Sequence, residues 1–449
     1  MKLSVSGYKS LSKKATIDVN GLTILSGANS SGKSSFMQPF LLIKQTLDAT
    51  YSNDALILHG DNVKLSDSKD VLSRIDGIDN SFFTLAIQDD DDVIVGLRFD
   101  HEKNVGLLTK TAFLEKKRNR RIELVEGAEI DSKIDLDKYA KRRGGPSFKV
   151  FEKHFSNLRS TYEKCLSIDD FNLLVKIHSK DEDGDDELSF LADLNSDFQD
   201  VCKGIIHIPG IRGSYDRTYK VATTGKSNSN VFKGTFEQYV ASIIHSWKKN
   251  KNKESKDNVS ALVEYLSRLN LTSNIDVERK NDTQLEVKVS RFKKKQAEKN
   301  DFVNILDVGF GVSQILPVLV ALLSAKKNNI VYVEQPELHL HPNAQMILAE
   351  IIAYSVNNGV KFVIETHSSI FIRGIQTQVA KGLLNKSKVS LNWFTQDELT
   401  GETNVSQSSL DSLGAFGDWP EDFETTYYKA DVDYLDAVEK AEARLLNGK

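Results

Sequence analysis

One eight-residue stretch constrains this chain more than any other. Residues 27–34 read GANSSGKS, with Gly27, Gly32, Lys33 and Ser34 at the spacing G-x-x-x-x-G-K-[ST]. Glycines at these places let the backbone turn with its N–H groups facing inward, toward phosphate oxygens. The lysine sets a compact positive charge beside the β- and γ-phosphates, and the hydroxyl that follows it suits Mg2+. The flanks agree. The apolar run Leu22–Leu25 predicts a buried strand before the loop, and Phe36, Phe40, Ile43 and Leu47 predict one apolar helix face after it. A strand, a glycine-rich loop and a helix N-terminus together make an anion site. Gly27, Asn29, Ser30, Ser31, Gly32, Lys33, Ser34 and Ser35 are therefore the candidate nucleotide-binding set, with ATP and Mg2+ as the implied cofactors.

A phosphate loop of this kind needs a carboxylate at the end of a second strand to orient the metal. The segment 328–342, NNIVYVEQPELHLHP, supplies an apolar strand ending in acid, so Glu334 is the candidate, sharing the metal with Ser34. A further buried strand over Val360–Ile364 ends in Glu365, Thr366 and His367. Helices are expected over Ile315–Leu323 and Ala344–Ser355. Alternating strands and helices of this length predict an α/β layer structure. In DVGFGVSQ (307–314), Ser313 falls near a helix start just after Gly309 and Gly311, a second place suited to an anion.

Between these ends the character changes. Residues 82–98 read as a hairpin with an acidic turn. Basic runs occur at 116–121, 141–143, 248–253 and 291–295, an acidic run occurs at 181–187, and Phe151–Leu173 is patterned as helix. No heptads are sustained, so no long coiled coil is expected. A charged helix is expected from Asp431 to Leu446. The organisation that follows is an N-terminal ATPase lobe over 1–110, a mostly helical, basic insertion over 111–300, and a C-terminal lobe over 301–449.

The net charge of −4 makes the whole chain no polycation, so nucleic acid would be gripped only by local basic patches. The two cysteines, Cys165 and Cys202, lack metal-ligand spacing and read as reduced thiols. His339 and His341 lack further ligands and read as loop residues. The N-terminus has no apolar signal core, and no apolar run approaches the ~20 residues that span a bilayer. A soluble cytoplasmic protein without a membrane partner is expected.

VEQPELHLHP (333–342) resembles the Walker B and D-loop segment of the ABC/SMC/RecF-like ATPases. It is particularly similar to the branch of bacterial defence ATPases that includes the overcoming-lysogenization-defect, Septu-like and PARIS-like proteins. The resemblance implies an ABC-ATPase head. Glu334 then stands for the magnesium-binding Asp, Gln335 falls where many relatives carry the catalytic Glu, and His341 falls at the D-loop Asp. A Gln orients water but accepts no proton, so turnover is expected to be slow unless Glu337 supplies the carboxylate. The resemblance also implies that DVGFGVSQ is the signature segment, with Ser313 reaching the γ-phosphate bound by another copy. It makes His367 the γ-phosphate switch. Tyr8, Lys9 and Ser10 are placed near the nucleotide, and Arg212 and Arg217 near phosphate or a partner, with Gln88 as the Q-loop candidate. The function so implied is a dimeric or higher homo-oligomeric ATPase switch in antiphage defence, paired with a separate effector such as a nuclease, since the chain carries no nuclease motif of its own. The alternatives are a DNA-binding repair head and a non-hydrolysing ATP-held scaffold.

Overall fold

The structure is a computed structural model that describes residues 1–49, 56–75, 78–89, 93–102, 106–116, 120–125, 163–169, 174–180, 186–192, 196–212, 216–222, 231–291, 301–327, 329–417 and 432–439. At its centre lies a six-stranded sheet. In spatial order its strands are Ile205–Ile208, Ile330–Glu334, Lys361–Glu365, Leu22–Gly27, Val389–Gln396 and Thr403–Ser409. The first five run parallel, and the last pairs antiparallel with its neighbour. Both ends of the chain thus build one sheet, as the motif order implies.

The strands are short apolar runs because both faces of the sheet are covered. Side chains alternate between two cores. Leu22, Ile24, Ile206, Ile208, Val331, Val333, Phe362 and Ile364 enter one cluster with the helices Phe310–Ser324, Pro342–Asn357 and Ser369–Ala380. Leu25, Ile205, Ile330, Tyr332 and Val363 enter the other, with the helix Lys33–Asp48. The helix Phe310–Ser324 is apolar on nearly every side and almost wholly buried. The helix Pro342–Asn357 has proline at its first position, where the missing N–H costs nothing. The imidazole of His341 caps that helix by accepting the Asn343 N–H.

A second six-stranded sheet is antiparallel throughout. It runs Ala15–Asp18, Lys2–Ser6, Phe82–Gln88, Val93–Glu102, Gly106–Lys116 and Arg120–Val125. The expected hairpin at 82–98 is its third and fourth strands. The described part of 111–300 corrects the mostly helical expectation. It holds the antiparallel set Glu163–Asp169, Leu174–Lys180 and Asp186–Ala192, and a small sheet containing Ile275–Arg279 and Gln284–Ser290. Helices occupy Ser196–Lys203, Val240–Lys249 and Lys253–Arg268. The segment Glu163–Asp169, expected as helix, reads EKCLSID, in which Leu166 and Ile168 recur at the two-residue period of a strand. Half of the expected terminal helix lies outside the described residues, which show helix over 432–439. The basic run 141–143 also lies outside them, and most of 291–295 does too. No described helix is long and apolar enough to cross a membrane.

Candidate functional site

The phosphate loop leaves the central strand at Gly27 and enters the helix at Lys33. Gly27 has φ 143°, and a Cβ there would lie 2.1 Å from the Phe394 carbonyl oxygen. Gly32 has φ 96°, and a Cβ there would lie 2.5 Å from the Thr403 hydroxyl. Both glycines are required by the backbone and by the close approach of the neighbouring strands. Asn29 and Ser30 are exposed at the loop tip, while Ser31 is buried and its carbonyl accepts the Thr403 hydroxyl at 2.9 Å. The Lys33 ammonium donates to the Gly27 and Ala28 carbonyls at 3.1 and 2.6 Å. Burial lowers the Lys33 pKa, and the charge of Glu365 works against that. The first N–H groups of the helix have no intrahelical partners and face the loop, as an anion site needs. Ser35 is half-buried within this first turn.

The acids sit at the carboxyl ends of the adjacent parallel strands. Glu365 is 3% exposed. It accepts the Ser34 hydroxyl at 2.8 Å on one oxygen and the Tyr332 hydroxyl on the other. Burial, with the charge of Glu334 added to it, pushes its carboxyl up to about 7. Glu334 faces the other way. One oxygen meets His207 Nε2 at 3.1 Å and the other accepts the Gly210 N–H at 3.0 Å. Burial alone would raise its pKa, but His207, Gly210 and Tyr332 outweigh it and hold the carboxyl below the usual range. His207 is itself buried, and its Nδ1 meets Asn62 at 3.1 Å.

Gln335 has φ 45°, a left-handed conformation rare for a side chain of this size. Two bonds hold it there. Its N–H donates to the Glu365 carbonyl at 2.8 Å, and its own carbonyl accepts Arg212 Nη2 at 2.5 Å. Glu337 is buried. One of its oxygens accepts the Thr366 hydroxyl at 2.7 Å and the His367 N–H at 3.0 Å, so it braces the segment that carries His367. Burial raises its pKa. Burial and the Lys33 charge lower the His367 pKa, and the Gly27 backbone partly offsets them.

Ser313 lies apart from this group. It is buried in the first turn of its helix, donates to the Phe310 carbonyl at 2.9 Å, and lines a cavity of about 410 Å³ with Ile211, Arg212, Gly309, Phe310 and His339. No residue of 27–35 lines that cavity. Tyr8 is fully buried against Phe83, with its hydroxyl on Gln38. Lys9 also donates to Gln38, at 2.7 Å, on the phosphate-loop helix. Arg217 pairs with Asp307 at 2.6 Å on the surface. Gln88 ends a strand opposite Lys2. Cys202 is a buried free thiol whose pKa burial raises.

Sequence reasoning left unassigned the contact of Glu365 with Ser34, and the buried partners His207 and Tyr332. The signal for Glu365 was present. IVYVE and KFVIE are two apolar runs that each end in Glu, and parallel pairing sets Glu334 opposite Glu365. The oxygen-rich group of Ser34, Glu334 and Glu365 fits Mg2+, a hard cation.

Residues 1–372 match the family described as AAA ATPase domain. No match is found among curated proteins. Among solved structures the chain is similar to the SMC head bound to the C-winged helix domain of ScpA. The two share 13% identity and a TM-score of 0.43, with 91% of this chain and 97% of that chain covered. It is similar to the SMC head domain from Thermotoga maritima at 10% identity and a TM-score of 0.36, covering 90% of this chain and 97% of that one. It is also similar to the Smc head domain with an extended coiled coil bound to the C-terminal domain of ScpA, derived from Pyrococcus furiosus. That pair shares 12% identity and a TM-score of 0.40, with 91% of this chain and 96% of that chain covered. With the family match running through the phosphate loop, the acidic strand and His367, the chain belongs to the AAA ATPase domain family of P-loop, ATP-binding proteins.

Proposed function

We propose that this protein is an ATP-driven switch that closes as a homodimer and turns ATP over slowly. The observation that carries the reading is the phosphate loop with Lys33, Ser34 and Glu365 bonded around it and His367 held by its N–H on Glu337 within reach of the Lys33 charge. Lys33 is placed to exchange its loop carbonyls for β- and γ-phosphate oxygens. Ser34 and the acids that end the two neighbouring strands, Glu334 among them, are the residues that would hold Mg2+, which neutralises phosphate charge when bound. Gln335 orients the attacking water without taking its proton, which keeps the rate low. His367 reports the γ-phosphate to Glu337 through the N–H bond between them.

A dimer is supported by the position of Ser313. Its cavity contains no phosphate-loop residue, so a phosphate reaching it would come from a second copy. The rim is apolar and uncovered, with Ile211 84% and Phe310 64% exposed. Apolar patches of this kind mark protein contacts. The resemblance of VEQPELHLHP to defence ATPases extends the reading to antiphage defence, with a separate effector such as a nuclease acting when the heads open or close. A DNA-binding head is the second reading, supported by the exposed Lys249, Lys251 and Lys253, although Lys248 is paired with Asp276.

The test is ATP binding and turnover by the purified chain, with and without duplex DNA, using Lys33→Ala as the blank. Turnover above that blank supports the switch. Binding without turnover makes the protein a nucleotide-held scaffold, and equal binding by the Lys33→Ala variant sinks the phosphate-loop assignment.

A further inference from the structure

The strand Lys361–Glu365 lies between the strand that ends in Glu334 and the strand that ends in Gly27. Glu365, rather than Glu334, is therefore the acid next to the phosphate loop. Its two oxygens take hydroxyl donors from Ser34 and Tyr332. Both oxygens of Glu334 are occupied by His207 and Gly210. Neither of these bonds comes from a cation: the Lys33 charge acts on Glu365 only through space, and its ammonium is directed at loop carbonyls. A carboxylate this buried is costly without a positive partner, and a second carboxylate in register adds to the cost.

We propose that Glu365 is a metal-facing carboxylate, receiving with Ser34 the divalent cation that accompanies ATP, while Glu334 stands one strand farther off as the second acid. The inference deepens the ATP-binding reading and rests on it. The donors are all oxygens, which selects Mg2+ or Mn2+ over softer metals. Among the described residues no group of three or more His, Cys, Asp or Glu could hold a metal. Nucleotide-bound Mg2+ usually takes one or two carboxylates together with phosphate and water. The competing account is that Glu365 only braces Ser34 against Tyr332.

The experiment measures binding of a fluorescent ATP analogue to the full chain, first in EDTA and then across a Mg2+ titration. For Glu365→Gln, with each protein referred to its own binding in EDTA, the expected result is a Mg2+ midpoint raised about 10–100-fold over wild type. A wild-type midpoint in that variant overturns the proposal. If Glu365→Gln loses binding even in EDTA, Glu365→Cys decides the matter, because a thiolate prefers a soft cation. Binding tightened by Cd2+ but not by Mg2+ supports a ligand role, and no response to Cd2+ overturns it. A wild-type chain that binds no nucleotide takes down the ATP-binding reading, and this inference with it.

Discussion

Lys33 and Gln335 show how single residues set what the site can do. Lys33 holds its ammonium on the carbonyls of its own loop, so phosphate binding exchanges one set of oxygen acceptors for another. Its replacement by Ala removes that charge, and calorimetric titration is expected to show ATP binding lost. Gln335 occupies a strained backbone position fixed from both sides, so its side chain is presented in one direction. Gln335→Glu would place a base there, and turnover is expected to rise by about 10²-fold or more. An unchanged steady-state rate would place the base elsewhere. Lys33 and Ser34 were legible in the sequence because their geometry is local, fixed by two glycines and a helix start. The bond between Ser34 and Glu365 was not, because it depends on which strand lies beside the loop, and 331 positions separate the pair.

At the scale of elements, the strand Ile205–Ile208 and the turn after it act as a clamp on the acidic strand. His207 and Gly210 bind Glu334, and Arg212 binds the Gln335 carbonyl. Arg212 is 2% exposed, and burial lowers its pKa to about 10, against the opposing charges of Glu337, Glu334 and Glu237. Arg212→Ala leaves buried carboxylates without that charge. It is expected to cost about 3–5 kcal/mol, read as a lower midpoint in denaturant unfolding. A loss under ~1 kcal/mol would mean that the arginine is dispensable to the clamp. The apolar strands and helices after residue 302 were legible because their runs are long and bounded by turns. The clamp was not, because HIPGIRG carries no pattern that names its neighbour, and the parallel pairing of Ile205–Ile208 with Ile330–Val333 spans an insertion. The strand Glu163–Asp169 was misread for a related reason, since short amphipathic runs fit either period.

At the scale of the whole molecule, the uncovered rim around Ser313 is the surface that a second copy would close. Phe310→Asp puts a charge on that rim at a distance from the phosphate loop. ATP affinity is expected to stay at the wild-type value while ATP-dependent dimerisation, followed by light scattering, is lost. Dimers that persist would move the interface elsewhere. The central sheet has a further consequence for how the protein is made. The strand Leu22–Gly27 leaves the ribosome well before the neighbours it pairs with, Lys361–Glu365 and Val389–Gln396. Gly27 is seated against Phe394, and Ser31 against Thr403. Pairings this distant in sequence form late. A product stopped short of residue 389 therefore carries the whole phosphate motif without the strands that Gly27 and Ser31 lean on. The wall of the loop is closed only by chain made 372 positions after Ser31, so the motif comes off the ribosome long before its cradle is complete.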